Sequence, residues 1–455
     1  MTLKLLVAVA LAVAAVPAPH DEWSRFRGPN GSGISAATNL PVEFGPEKNL
    51  IWKLDLPQGH SSPILFRDRI YLTGFREKDL FTIVISDTGK ILWETKLAGL
   101  ATPPADKRNN AASPSPAVDD SGIYVFFHDF GLISYGFDGK ERWRLPLGPF
   151  INLYGMGASP VIVGDLVILA ADQSLESYVM GVDKKTGRQV WKTMRPEAKS
   201  GHSTPILWTN KAGEQEVLLP GSFLLTAYDV KSGAKKWWTS GLSFEMKSVP
   251  VVAKVGGTDM LFVNGYGSPE NDPGKLIDAG ETKEIFAKHD ADGNGTLEKT
   301  ELPTDHAKGW LVVYDLDTNG IVTPAEWDYY RAALASRNGM LAIRLGGEGD
   351  MTAKNVVWQY QRSVPQLPSP IVYGGVLYMV NDGGIMTTLN PETGAVVKQG
   401  RIPGAIDRYY ASPVAGDGKV YMTSEKGKIA VLRPDGNLEP VAVNDIGEDI
   451  YATPA

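Results

Sequence analysis

The sequence predicts an all-β fold, an eight-bladed β-propeller whose fifth blade carries a small helical insert. A short phrase that recurs along the chain predicts the blades, and one interruption of its spacing predicts the insert. The phrase is a small residue, a Pro and then an apolar run, which is typical of entry into a strand. It occurs at Ser62-Pro63, Ser115-Pro116, Ser159-Pro160, Thr204-Pro205, Val249-Pro250, Ser369-Pro370, Ser412-Pro413 and Thr453-Pro454. The prolines are 53, 44, 45, 45, 120, 43 and 41 residues apart, and steps in the forties are the length of a propeller blade.

A second phrase places a Gly four residues before a Trp and predicts how each blade ends. The pairs are Gly89 and Trp93, Gly139 and Trp143, Gly187 and Trp191, and Gly233 and Trp237. A Gly-centred turn between two apolar runs favours a hairpin. A large ring at a fixed offset would lie on the outer strand, where it can wedge between neighbouring blades. Trp52 and Trp358 fit the same role without the turn phrase.

The order of the two phrases indicates how the ring of blades would close. Trp52 precedes the first Ser-Pro step, so the N-terminal strand is expected to be the outer strand of the last blade, whose inner strands would follow Pro454. Residues 23–269 are expected to form blades one to four and the first part of blade five, and residues 270–332 the insert. Residues 333–455 would finish blade five and continue into blade eight, which is incomplete in the sequence as given.

The long step contains two twelve-residue loops, Asp290 to Glu301 and Asp315 to Glu326, with the ligand pattern of a paired EF-hand. Positions one, three and five are short oxygen donors, position seven offers a backbone carbonyl, and position nine acts directly or through a water. Position twelve is a Glu that binds with both oxygens, and Gly295 and Gly320 stand at position six, where the turn needs a positive φ. The predicted ligands of two Ca²⁺ ions are Asp290, Asp292, Asn294, Thr296, Glu298 and Glu301, and Asp315, Asp317, Asn319, Ile321, Thr323 and Glu326.

An acidic turn without metal is the alternative for a single loop of this composition, but two complete patterns in tandem favour calcium. The first loop offers four carboxylates and the second three, so we expect the first to bind more tightly. Leu297 and Val322, at position eight, can join the loops through a short strand contact. The 13 residues between the loops are too few for two full helices, which predicts a compact structural or buffering pair. Trp327, Tyr329 and Tyr330 are expected to pack its last helix onto the propeller.

Charge and composition exclude some function classes and indicate export. The net charge is −7, and residues 270–330 hold 14 acidic and 5 basic residues, so the remainder is close to neutral and carries no basic stripe for nucleic acid.

Residues 1–18 contain Lys4 and an apolar run from Leu5 to Val16, which is the layout of a signal peptide and too short to span a bilayer. The chain has no cysteine, and therefore neither disulfides nor a lipid anchor on an N-terminal Cys. We expect a periplasmic or secreted protein without a transmembrane segment.

The Ser-Pro steps and the repeated Thr-Gly-x-x-x-Trp phrase resemble the PQQ-binding-like eight-bladed propellers, from Trp23 to Ala455. That superfamily includes quinoprotein alcohol dehydrogenases and the propeller lipoprotein of the outer-membrane barrel-assembly machinery. The opening Trp23-Ser-Arg-Phe-Arg-Gly-Pro-Asn-Gly-Ser-Gly and the stretch from Asn338 to Gly347 further resemble a subgroup of exported bacterial propellers, some with an EF-hand insert. The resemblance implies the fold more strongly than an activity.

For the quinoprotein dehydrogenases, the resemblance implies PQQ between a Trp and a ring of adjacent bonded cysteines, with a calcium held by acidic and amide side chains near the axis. This chain has no cysteine and no acidic cluster on its predicted inner strands. We therefore do not expect PQQ and predict no catalytic residues. A PQQ-type oxidoreductase remains the alternative.

If the mouth of the propeller channel is a binding site, its residues should come from the segments just before each inner strand. Amide, aromatic and cationic groups there suit an acidic or sugar-like ligand, or a peptide loop, although polar rim residues also serve simple solvation. The candidates are His60, Arg108, Asn109, Asn110, Tyr154, His202, Lys247, Arg408, Tyr409 and Tyr410. The sequence thus predicts a calcium-binding propeller that acts as a binding or scaffolding module. Its partner would be an envelope or extracellular protein, or a carbohydrate in the alternative interpretation.

Overall fold

A computed structural model describes residues 23–99 and 106–455, so the predicted signal peptide lies outside the described residues. The strands form successive antiparallel sheets of four, each strand pairing with the next along the chain. The first four sheets comprise β1 (Ile64–Phe66), β2 (Arg69–Arg76), β3 (Asp79–Ser86) and β4 (Ile91–Leu97); β5 (Ala117–Asp119), β6 (Gly122–Phe127), β7 (Gly131–Tyr135) and β8 (Glu141–Leu145); β9 (Val161–Val163), β10 (Leu166–Ala171), β11 (Tyr178–Asp183) and β12 (Gln189–Met194); β13 (Ile206–Thr209), β14 (Gln215–Pro220), β15 (Leu224–Asp229) and β16 (Lys235–Ser240).

The fifth sheet is interrupted by the insert, and two regular sheets follow it. In chain order these elements are β17 (Val251–Val255), β18 (Thr258–Gly265), α1 (Thr282–His289), β19 (Leu297–Glu298), α2 (Asp305–Tyr314), β20 (Ile321–Val322), α3 (Pro324–Ala335), β21 (Gly339–Arg344), β22 (Gly349–Asp350), α4 (Thr352–Asn355), β23 (Val356–Tyr360), β24 (Ile371–Tyr373), β25 (Val376–Val380), β26 (Met386–Leu389), β27 (Val396–Gly400), β28 (Val414–Gly416), β29 (Lys419–Thr423), β30 (Lys428–Leu432) and β31 (Pro440–Asp445). Short 3₁₀ turns lie at Pro29–Gly31 and Pro269–Asn271.

The sheets pack face to face, as the blades of a propeller do. One apolar cluster joins each sheet to the next, from the first pair of sheets to the sixth and seventh. Middle strands such as β6 and β10 are therefore buried on both faces and read as continuous apolar runs. The outer strands β4 and β12 are largely exposed, with half-buried or buried residues at intervals, because they form the solvent-facing edge of each blade. The predicted propeller is confirmed.

Two features mark the eighth radial position. Trp52, Leu54 and Leu56 cover the outer face of the first sheet, where they pack against Phe81, Ile83 and Ile85. At the axis, the backbone N–H of Ser412 donates to the hydroxyl of Thr453 at 3.0 Å, just as Ser369 donates to Ser412 at 2.9 Å. The segment that contains Trp52 thus lies beside the first sheet, and the last Thr-Pro step lies beside the seventh. The described residues before β1 form no regular strand, so the N-terminal outer strand that the sequence predicts is not formed.

The Trp residues of the Gly-Trp phrase contact the next blade. Trp93 lies against Gly139 of the second sheet, and Trp143 lies against Gly187 of the third, so that a Cβ on either glycine would meet the indole within 3 Å. The indole N–H of Trp93 donates to Phe137 O and that of Trp143 to Lys184 O, both at 3.0 Å. Trp52, Trp191 and Trp358 do the same with the turns that follow them. Trp237 differs, because its N–H donates to the Glu216 carboxylate at 2.8 Å.

The N-terminal segment 23–35 crosses one end of the propeller and ties several blades together. Trp23 bridges Leu65 of the first sheet, and Ile34 bridges Ala415 of the seventh. Between them, the Arg25 guanidinium donates to Pro205 O at 2.5 Å, and that of Arg27 donates to Pro370 O at 2.9 Å. Phe26, between the two arginines, forms part of the floor of the axial cavity described below.

Candidate metal loops and axial cavity

The insert is a pair of helix–loop–helix units that share the middle helix. The first loop begins where α1 ends, with Asp290 at its C-cap, and the second begins where α2 ends, with Asp315 at its C-cap. Thr323 and Glu326 form a reciprocal capping box that starts α3. The strands β19 and β20 pair Leu297 with Val322, as predicted, so the two loops lie back to back.

Each loop gathers three carboxylates at one place. Oxygens of Asp290, Asp292 and Glu301 lie within 4.8 Å of one another, and so do oxygens of Asp315, Asp317 and Glu326. Like charges this close repel each other, so the arrangement costs free energy unless donors or a cation offset it.

Backbone N–H groups hold the first and last carboxylates in the same way in both loops. Asp290 accepts the N–H of Gly295 and Asp315 accepts that of Gly320, both at 2.9 Å. The residue at position two donates its N–H to the Glu at position twelve: Ala291 donates to Glu301, and Leu316 donates to Glu326, both at 2.8 Å. The carboxylates are therefore fixed by the backbone, and each keeps lone pairs that can bind a cation.

The other predicted ligands sit in the same loops with local partners. Asn294 donates to Glu298 at 3.1 Å and accepts from the N–H of Thr296 at 2.8 Å. In the second loop, Asn319 accepts from the N–H of Ile321 at 2.7 Å, and Thr323 donates to Glu326 at 2.8 Å. These side chains complete two oxygen-rich loops of the kind that hard divalent cations prefer.

The second loop is the more enclosed of the two. Asp315 and Glu326 are buried, whereas Asp290 and Asp292 are half-buried or exposed. Burial raises the pKa of the Asp315 carboxyl, and the like charge of Glu326 adds to that rise. A divalent cation would reverse this effect by favouring the ionised form.

The insert has a core of its own and docks on the rim of the propeller. Trp327 and Tyr330 lie in that core with Leu297 and Tyr314, so they do not pack the helix onto the propeller as the sequence suggests. Tyr329 does, because its ring lies 6.1 Å from that of Phe223. Trp310 and Phe244 make a second ring contact at 5.6 Å, and the Asn271 amide donates to the carbonyls of Ala333, Leu334 and Ser336.

A cavity lies on the axis at the same end of the propeller. Its upper part holds about 170 Å³ and its lower part about 110 Å³. The predicted rim residues that line it are His60, Arg108, Asn109, Tyr154, His202, Lys247 and Tyr410. A neighbouring cavity of about 200 Å³ separates the rim from the insert, and Tyr154 and Gln366 border both spaces.

Three predicted rim residues lie outside the lining. Tyr409 is fully buried in the core between the sixth and seventh sheets, where its hydroxyl donates to Ala405 O at 2.6 Å. The side chain of Asn110 caps its own turn by accepting the N–H of Ala112 at 2.9 Å. Arg408 is exposed beside Tyr410. Each of the three points away from the axis because the chain turns between it and the inner strand.

Sequence reasoning missed several lining residues, although a positional signal existed. The residue three positions before each repeat Pro lines the cavity in all eight repeats. These residues are His60, Ser113, Gly157, His202, Lys247, Leu367, Tyr410 and Tyr451. Phe26, Asp106 and Gln366, which also line the cavity, carry no such signal.

Aromatic stacking shapes one wall of the cavity. The rings of His60 and Tyr451 are 4.7 Å apart and nearly parallel, and those of Tyr451 and Tyr410 are 5.5 Å apart and nearly parallel. The hydroxyl of Tyr451 donates to Glu425 at 2.9 Å. Their faces are largely covered by one another, so the wall presents mostly ring edges and polar atoms to a ligand.

The charged groups of the upper cavity are paired within the protein. Arg108 donates to Asp106 at 2.6 and 2.8 Å, and this lowers the pKa of Asp106 to about 2. Lys247 pairs with Glu245. His202 has an Nε2 atom without a partner, and burial lowers its pKa to about 4, so the imidazole is neutral at pH 7.

The lining does not fit PQQ and its calcium. Asp106 is the one carboxylate in the described lining, and it already forms an ion pair with Arg108. Within the described residues, the carboxylate clusters suited to a metal both lie in the insert, away from the axis.

The fold and these sites define a PQQ-like β-propeller with an inserted pair of acidic loops. The family model described as outer membrane protein assembly factor BamB matches residues 80–268 and 332–448, which is more than half of the chain and leaves the insert unmatched. The chain therefore belongs to this family of PQQ-like propellers.

Solved structures agree on the fold. BamB from Moraxella catarrhalis has 14% sequence identity and a TM-score of 0.52, and the match covers 86% of this chain and 88% of that chain. A europium-containing methanol dehydrogenase has 10% identity and a TM-score of 0.59, with 95% of this chain and 87% of that chain covered. At these identities the likeness concerns the fold alone. No curated protein matches the sequence. In the described part of the chain, no helix has the length and apolarity to cross a membrane.

Proposed function

We propose that this protein is an exported calcium-binding propeller, periplasmic or secreted, that acts as a non-catalytic binding or scaffolding module. The observation that carries the proposal is the pair of acidic loops, in which identical backbone hydrogen bonds fix carboxylates within 4.8 Å of one another. An EF-hand pair explains both the spacing of these oxygens and the glycine at position six.

The position of the insert favours a structural role for calcium. The end of α2 supplies Asp315 to the second loop and also, through Trp310, the contact with Phe244 on the propeller rim. An ion that fixes the second loop would therefore also fix the helix that borders the cavity beside the rim. This geometry supports a module that is ordered by calcium at the surface where a partner would bind.

Calorimetric titration of the metal-free full chain with CaCl₂ tests the proposal. We expect two ions to bind, with Glu301→Gln weakening the tighter site and Glu326→Gln weakening the other, because each change removes a charge and a ligand that binds through two oxygens. Glu284→Gln, an exposed glutamate on α1 outside the loops, is the matched control and should bind like the wild type. No calcium uptake, or unchanged binding in both loop variants, would refute the assignment.

Envelope or extracellular proteins are the partners that family membership favours, since the matching family is described as an outer membrane assembly factor. A pull-down from the parent envelope, with and without calcium, should recover a partner whose retention falls with the double variant Glu301→Gln and Glu326→Gln.

Two alternatives make different predictions. A PQQ-dependent dehydrogenase, favoured by the methanol dehydrogenase likeness alone, would show dye-linked alcohol oxidation after addition of PQQ and calcium. A carbohydrate-binding propeller would lose retention on glycan columns after Tyr410→Ala. Tyr409 is unsuitable for that test because it belongs to the core.

A further inference from the structure

Besides Ser113 and two tyrosines, a ring of five hydroxyl groups lines the floor of the axial cavity. We call it the hydroxyl ring, and it consists of Ser62, Ser159, Ser369, Ser412 and Thr453. Each of these residues directly precedes a repeat Pro, so the eightfold repeat of the sequence places them at one depth along the axis. Four of them accept a backbone N–H from a neighbouring blade at 2.9 to 3.0 Å, from Ser115, Val249, Ser369 and Ser412.

The protons of the hydroxyl ring have no protein acceptor. A hydroxyl that accepts one hydrogen bond still has one proton to donate, and within the described residues these four donate to nothing. The Oγ of Ser62, the fifth member, neither donates nor accepts a hydrogen bond, and the residue is only 1% exposed. A buried polar group without a partner costs free energy. The ring therefore holds hydroxyl protons that no described acceptor takes up, on residues that line the floor of the cavity.

The floor carries no uncompensated charge of its own among the described residues. Lys247 and His60 line it, no carboxylate does so, and Lys247 is neutralised by Glu245. Arg25 and Arg27 flank Phe26, which lines the floor, and both are buried and bond to backbone carbonyls.

Neither arginine has a carboxylate partner within the described chain. Burial lowers the pKa of Arg25 to about 10 and that of Arg27 to about 9, so both stay protonated at neutral pH. Arg27 donates to the carbonyl of Pro370, the residue after Ser369 of the ring. Two full positive charges next to a low-dielectric cavity favour negative charge inside it.

We propose that the floor of the axial cavity binds an oxyanion, the phosphate or carboxylate group of a small molecule. The oxyanion accepts hydrogen bonds from the hydroxyl ring, and the rest of the molecule occupies the upper cavity beside Tyr410 and Tyr154. The floor holds about 110 Å³, the share of about four waters, which is room for one such group. This site is separate from the acidic loops and does not require calcium.

The test is a calorimetric and thermal-unfolding titration of the full chain in calcium-free buffer with inorganic phosphate and with acetate. Sodium chloride at equal ionic strength controls for screening. We expect saturable binding of at least one of the two anions and a rise in the unfolding midpoint that sodium chloride does not give. Which of the two binds distinguishes phosphate from carboxylate compounds.

Two serine variants show where the anion binds. Ser62→Ala removes a hydroxyl that has no protein partner and leaves the bond from its N–H to Ser115 at 2.8 Å, so its unfolding midpoint without anion should match the wild type. Its anion affinity should fall about tenfold, the loss of one hydrogen bond to a charged group. Ser134→Ala is the matched control, because the Oγ of Ser134 in β7 is likewise buried without a partner but does not line the floor. No saturable binding of either anion to the wild type, or equal affinity of the wild type and Ser62→Ala, would overturn the proposal.

Discussion

At the scale of single residues, His202 shows what burial in the cavity wall does to a titratable side chain. Its Nε2 lacks a partner, and desolvation lowers its pKa from 6.5 to about 4, although Glu245 acts in the opposite direction. Between these two pH values the unfolded chain binds a proton at this position and the folded chain does not. The contribution of His202 to the free energy of unfolding is therefore fully present above about pH 6.5 and is lost as the pH falls towards 4.

His202→Gln should remove much of this acid sensitivity, because glutamine has no proton to take up. We expect the urea midpoint of the wild type to fall more between pH 7.5 and pH 5 than that of the variant, and acid unfolding curves would measure this. An equal fall in the two proteins would show that His202 does not carry the pH dependence.

The residue scale is also where prediction from the sequence was least complete. Tyr451 and Gly157 line the cavity because they stand three positions before a repeat Pro, which a positional comparison of the repeats reveals. Phe26 reaches the cavity only because residues 23–35 cross the end of the propeller. No local pattern encodes that crossing, since it depends on contacts between residues hundreds of positions apart.

At the scale of elements, a Trp on the outer strand of each of the first five sheets contributes to the contact between blades. Trp143 of β8 donates to Lys184 O at 3.0 Å and fills the space above Gly187, so it joins the second sheet to the third. The Gly and Trp spacing in the sequence identified this contact in advance. It did not predict that Trp237 bonds to a carboxylate and not to a turn of the next blade. In the fifth sheet, residues 345–355 replace the tight turn, and their strand β22 pairs with β16.

Trp143→Phe should lower the free energy of unfolding by about 1 kcal/mol, the contribution of one hydrogen bond. Trp143→Ala should lower it by about 3 kcal/mol, the low end for a Trp because the ring is only half-buried. Denaturant unfolding measures both. Trp238→Phe is the control, since Trp238 is half-buried like Trp143 but does not contact a neighbouring Gly turn. Equal effects at the two positions would mean that the interlocking contact is not a main source of blade stability.

At the scale of the whole molecule, two cores lie side by side. The propeller is stabilised by clusters between successive sheets, whereas the insert depends on one cluster that includes Leu297, Tyr314, Trp327 and Tyr330. The repeat period in the sequence predicts a division into these two parts, because the removal of one long step restores a common blade length. How the parts touch, through Phe223 and Tyr329 for example, depends on tertiary geometry that no repeat encodes.

Removal of calcium should therefore separate two unfolding events. With the carboxylates of both loops uncompensated, we expect the helical signal at 222 nm to be lost at a lower temperature than the near-ultraviolet signal of the propeller tryptophans. The calcium-loaded protein should unfold with the two signals closer together. The double variant Glu301→Gln and Glu326→Gln controls for the chelator, because it should respond to chelation much less. Coincident transitions at every calcium concentration would contradict a separate role for the insert.

The strands β18 and β21 pair in continuous register from Met260 and Arg344 to Gly265 and Gly339, where the chain leaves blade five for the insert and comes back. Its exit and return are thus direct neighbours, and the hairpin is undisturbed by the seventy or so residues that it carries. Another folded unit with adjacent termini, such as a fluorescent reporter, could be grafted at this junction without changing the order of the strands. The same geometry shows how a helical insert can be carried at this junction while the pairing of the host blade stays intact.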